Sequence, residues 1–134
     1  MKSRDALSRL KRFDVEEKQR KVSEIEAMIG DFNQMATDLD RQIAIEQERA
    51  GVSDTNHYAY PTFAKAAIQR RDNLLASVVD LEAKLASARA TLTEAFEELK
   101  KIELLEERDA ERIKIEQARA ELGSVPGVPH RVAS

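Results

Sequence analysis

The sequence has no cysteine and no tryptophan. Without cysteine there can be no disulfide framework and no thiolate metal site, and a reducing compartment fits. Glycine and proline together fill seven of 134 positions, too few for a layered domain with many turns. With 35% charged and 42% hydrophobic residues, the composition is that of long helices. No uninterrupted apolar run approaches the roughly 20 residues needed to span a bilayer, so direct membrane insertion is not expected. The opening MKSRDALSRLKRF has basic residues but no apolar core behind them, which does not fit a secretory signal peptide. The chain is therefore placed in the cytoplasm. Nor does one sign of charge dominate. Lys and Arg number 22 against 25 Asp and Glu, a net of −3, so no global basic field is available to hold nucleic acid.

What the sequence does have is periodicity. Val22, Ile25, Ile29, Phe32, Ala36, Leu39 and Ile43 are spaced by alternating threes and fours. This heptad stripe predicts a helix over about 2–50 that buries one narrow seam against a partner. Before Val22 the stripe weakens. Leu7, Leu10 and Phe13 are spaced by three, out of phase with the later repeat, and imply a local change of supercoil. Gly30 sits inside this helix, where close packing or a local bend would account for it.

Residues 51–60, GVSDTNHYAY, read as a turn. Gly51 can end the first helix in the left-handed conformation, and Pro61 suits the first turn of a second. That second helix, about 61–122, carries the strongest repeat: Leu74, Val78, Leu81, Leu85, Ala88, Leu92, Ala95, Leu99 and Ile102 fill every seam position. The repeat degrades at Glu106 and Asp109 and returns weakly at Ile113 and Ala120. Residues 123–134, rich in glycine and proline, read as a disordered tail. The expected fold is all-α, a single antiparallel two-helix coiled-coil hairpin over 1–122. Charge supports the pairing: residues 1–21 carry eight bases against four acids, and residues 94–111 carry eight acids against three bases. Folding about the turn lays one segment beside the other and leaves residues from about 110 onward without a partner, so the second helix should overhang.

Reactive groups are scarce. His57 falls in the turn and His130 in the tail, and neither is spaced with carboxylates as a metal site requires. There is no glycine-rich phosphate loop. The pairs Glu16–Glu17, Glu97–Glu98 and Glu106–Glu107 point in adjacent directions on a helix and suit solvated faces. No enzyme activity, cofactor or metal is expected, which leaves binding. Ile45, Val79, Leu104 and Ile115 fall off the seam, and apart from Val79 they gather near the two ends of the hairpin. The stretch HYAYPTF, 57–63, holds both tyrosines and one of four phenylalanines. It suits a cap on the seam, a recognition surface, or both at once.

The opening SRDALSRLKRFDVEEKQRKV, the segment HYAYPTFAKAAIQRRDNL and the run LTEAFEELKKIELLEERD resemble the flagellar export protein FliJ family in its alphaproteobacterial type. The Tyr60–x–x–Phe63 spacing at the start of the second helix is the most specific part. The resemblance implies a non-enzymatic coiled-coil component of the flagellar type III protein export apparatus, similar to the central stalk of rotary ATPases. It implies a termini-bearing end that engages the hexameric export ATPase and promotes its assembly. It also implies a tip surface that engages the transmembrane export gate, an association with export chaperones, and a cytoplasmic location peripheral to the inner membrane. Carried onto this sequence, the gate end comprises Ile45, Tyr58, Tyr60, Phe63, Ala67 and Arg70. The ATPase end comprises Leu7, Arg9, Leu10, Arg12 and Phe13, with the overhang from Ile113 through Ile115 to Leu122. Family members often carry aromatics late in the first helix, where this chain has Ile45 and Arg49. The competing reading from the residues alone is a generic cytoplasmic coiled-coil adaptor or tether, monomeric or dimeric, unrelated to secretion. A nucleic-acid or membrane-surface binder comes third.

Overall fold

A computed structural model describes residues 2–124, with the side chains of 5–123. Two helices account for nearly all of it: α1, Lys2–Ala50, and α2, Thr62–Ser124, with no strand among the described residues. The fold is an all-α helical hairpin, as the two stripes require. α2 continues through Gly123 and Ser124, two residues past the expected end; the rest of the expected tail lies outside the described residues.

Every expected seam residue from Val22 to Ile43, and from Leu74 to Ile102, is buried or half-buried. Val22, Ile25, Leu81 and Leu85 form a buried cluster, with Ile29, Phe32, Ala88 and Leu92 packed against it. Full burial of such aliphatic side chains is worth about 1.5–3 kcal/mol each.

The phase shift expected before Val22 does not appear in the burial pattern. The alternation of threes and fours continues backward without a phase shift through Lys18, Val15, Lys11 and Ser8, all buried or half-buried. Leu7, Leu10 and Phe13 stand outside it, and Leu10 and Phe13 are 61% and 57% exposed. Position in the repeat, rather than hydrophobicity, decides what the seam buries here. Lysine can occupy such positions because its methylene stem packs while its ammonium reaches water. On α2 the same alternation runs backward from Leu74 through Arg71, Ala67 and Ala64 to Tyr60.

Gly30 also departs from expectation. It is exposed, α1 runs through it uninterrupted, and a Cβ placed there would meet nothing within 4 Å. Close packing therefore does not account for it. Gly51 does have a backbone reason: its φ is +67°. Its N–H donates to the Glu48 carbonyl (3.3 Å), and the Val52 N–H donates to the Gln47 carbonyl (3.3 Å). These two bonds form a Schellman cap on the last turn of α1. Pro61 sits one place before α2, and its carbonyl accepts the first helical bond, from the Lys65 N–H (3.1 Å).

The contacts divide the chain into two units, Met1–Val15 with Ala95–Ser134, and Glu16–Glu94. In the second unit, cross-helix pairs join Arg71 to Asp40 (2.9 Å) and Arg89 to Glu26 (3.0 Å). Rising numbers on α2 meet falling numbers on α1, so the helices are antiparallel. In the terminal unit, Lys11 pairs with Glu98 (2.7 Å) and Arg12 with Glu103 (3.6 Å), realising the basic-to-acidic match expected of these segments.

Candidate functional site

Two groups of residues are candidates for binding, one around the turn and one in the terminal unit.

The turn is built from local hydrogen bonds. The Asp54 carboxylate accepts from the Asn56 N–H (2.9 Å), and the Asp54 carbonyl accepts from the His57 N–H (3.1 Å). The His57 carbonyl then accepts from the Tyr60 N–H (3.0 Å), and His57 Nδ1 accepts from the Ala59 N–H (3.0 Å). These bonds bring the chain round to present the aromatics differently. Tyr60 turns inward and is only 7% exposed, its hydroxyl accepting from Gln47 Nε2 (2.8 Å). Tyr58 turns outward and is 95% exposed, stacked on the His57 ring at a centroid distance of 4.6 Å. One tyrosine therefore caps the seam and the other stands in water.

Of the expected gate-facing residues, Ile45, Tyr58, Phe63 and Arg70 are exposed. Tyr60 and Ala67 are corrected: both occupy seam positions and are buried, so they shape the surface without presenting side chains on it. Phe63 and Arg70 border one shallow hollow with Leu39, Gln42, Ala66 and Ala67. Sequence reasoning missed Gln47 and Arg71. Gln47 lies one place past Glu46, the next seam step after Ile43, and nothing in the repeat singles it out. Arg71 is half-buried, and its guanidinium donates hydrogen bonds to the carboxylates of Asp40 and then Asp72, which hold it even more firmly protonated than usual.

In the terminal unit, Leu7, Arg9, Leu10, Arg12 and Phe13 are all exposed. Arg9 and Arg12 border a hollow shared with Asp5, Ser8 and Glu106. The Lys11 ammonium is held above its ordinary value of 10.5, first by its hydrogen bond to Glu98 and then by that carboxylate's charge. Lys2 precedes Lys11 and Arg12, which pair with Glu98 and Glu103, by nine and ten residues, so α1 runs out level with about residues 107–113 of α2. Residues 111–123 are exposed throughout, Ile113, Ile115 and Leu122 among them. This is the expected overhang, steadied by the ion pairs of Arg112 with Asp109 (3.7 Å) and Glu116 (3.9 Å). Ser8 is 1% exposed, and its hydroxyl finds no hydrogen-bond partner among the described residues.

Among the described residues, no group of three His, Cys, Asp or Glu is placed to hold a metal ion. No described helix is long and apolar enough to cross a membrane. Both candidate groups set exposed apolar side chains beside charged ones: Ile45 and Phe63 with Arg70, and Leu7, Leu10 and Phe13 with Arg9 and Arg12. No protein family matches the chain, and neither any characterised protein nor any solved structure matches it significantly.

Proposed function

We propose that this chain is a non-enzymatic component of the flagellar type III protein export apparatus, binding the export ATPase ring as a central stalk and linking it to the transmembrane export gate. The reading rests on the resemblance carried by Tyr60–x–x–Phe63 and its flanking segments. The observation that supports it best is the segregation of the seam from the surface. Leu7, Leu10 and Phe13 lie outside an unbroken heptad register, and the hairpin has no internal use for them. These side chains, with Arg9 and Arg12 among them and the exposed residues Ile113, Ile115 and Leu122 further along α2, make up the ATPase-binding end in this account. Ile45, Tyr58, Phe63 and Arg70 form the gate-binding end. The protein then works in the cytoplasm, held at the inner membrane through its partners, and export chaperones associate with it.

The test is Phe63→Ala. It should weaken binding to the gate while leaving binding to the ATPase intact; equal loss of both would mean that the turn had unfolded and that Phe63 is no contact. The second reading, a dimeric coiled-coil adaptor, draws on the same exposed Leu10 and Phe13. A mass that rises with concentration in sedimentation, and falls back in Leu10→Ala/Phe13→Ala, would favour the adaptor.

A further inference from the structure

One feature of the second unit has no use in an isolated hairpin. At seam position 88, α2 carries alanine where positions 81, 85 and 92 carry leucine. The unfilled space opens as a groove between the helices, floored by Ile25, Met28, Leu81 and Ala88. Met28 is left exposed along it.

The rim of the groove is basic on both helices: Lys18 and Lys21 from α1, Lys84 from α2. On the opposite flank of the same seam, one residue beyond Ile25 and Ala88, Glu26 and Arg89 make the complementary pair expected of a coiled coil. On the groove side the charges match in sign. Neither Lys21 nor Lys84 has an ion-pair partner among the described residues. A second hollow adjoins this rim, lined by Lys18, Arg20 and Lys21 with Glu17 and Glu24, three bases against two acids. Glu17 is already paired with Arg20. Like charges across a seam disfavour the hairpin alone and favour a third segment of opposite sign.

We propose that this groove docks an acidic amphipathic helix, whose apolar side chains enter between α1 and α2 while its carboxylates meet Lys21 and Lys84. The apolar floor calls for an amphipathic occupant, and the matched lysines select the sign of its flanks.

The test uses the full chain and three labelled probes in fluorescence anisotropy. The first is a synthetic helical peptide with leucine at its a and d positions and glutamate beside them. The second replaces each glutamate by lysine, and the third is polyglutamate. The glutamate peptide should bind at least about tenfold tighter than either control, the effect of two or three partly exposed ion pairs together with apolar contact. Lys21→Glu/Lys84→Glu should reverse the preference between the two peptides while the far-ultraviolet spectrum stays helical. Ala88→Leu should fill the groove and block the glutamate peptide. Equal binding of both peptides, equal binding of polyglutamate, or an unchanged preference in the double variant would overturn the proposal. So would self-association of the chain that the double variant abolishes, since the groove would then belong to a second copy.

Discussion

Ser8→Ala separates the register described here from its rival. Ser8 lies in the seam of the terminal unit, 1% exposed, with its hydroxyl unpartnered among the described residues. Removing an unsatisfied buried hydroxyl recovers about 1 kcal/mol of desolvation. Alanine also exceeds serine in helix propensity by roughly 0.5 kcal/mol. The variant should therefore be more stable by about 1–1.5 kcal/mol, which for a chain of this size corresponds to a rise in melting temperature of about 3–6 °C. Thermal unfolding followed by circular dichroism gives the shift, and amide exchange over residues 6–14 shows whether it is local. Leu10→Ala is the companion. With Leu10 on the outer face, its loss should change stability by no more than about 0.5 kcal/mol. Were Leu7, Leu10 and Phe13 the buried stripe, the same substitution would cost about 2–5 kcal/mol. A destabilised Ser8→Ala together with a strongly destabilised Leu10→Ala would refute the continuous register.

Other perturbations address separate parts of the hairpin. Tyr60→Phe removes the acceptor of the Gln47 amide at the turn and should cost about 1 kcal/mol in denaturant titration; a neutral result would mean that water replaces the bond freely. Gly30→Ala adds a methyl group into open space on an exposed helical position and should stabilise by about 1 kcal/mol, and a loss of stability would reveal a constraint on Gly30. Lys11 titrates above its ordinary value in the fold, so its pair with Glu98 contributes fully below about 10.5 and is lost as pH rises through the raised value. Lys11→Met should flatten the alkaline limb of the stability profile, and an unchanged limb would show that the pair contributes nothing. Truncation after residue 109 should lower helical signal in proportion to the residues removed and leave the melting temperature within about 2 °C, because residues 111–123 are exposed throughout. A larger drop would mean that the overhang packs on something.

Much of the fold is legible from spacing. The seams 22–43 and 74–102 each carry apolar residues at every step, and burial follows them without exception. Gly51 ends α1 as its freedom to take positive φ allows. The N-terminal register was misleading because apolar residues and seam positions part company there. Leu7, Leu10 and Phe13 attract attention as hydrophobes, while Ser8, Lys11 and Lys18 hold the seam as polar residues. Counting back from Val22 by fours and threes, regardless of residue type, passes through all of the latter. The aromatic segment was half legible: composition marked it, but which tyrosine turns inward depends on the hydrogen bonds of Asp54 and His57. The lysine-rimmed groove depends on which side of the seam each flanking residue takes, information that exists only once the two helices are paired.

The most direct test of the stalk account is the hydrolysis rate of the cognate export ATPase as this chain is titrated in, with ring assembly followed by light scattering. The account predicts that both rise together, and that Leu10→Ala/Phe13→Ala, folded and helical, abolishes both effects. A folded chain that leaves rate and assembly unchanged would contradict it.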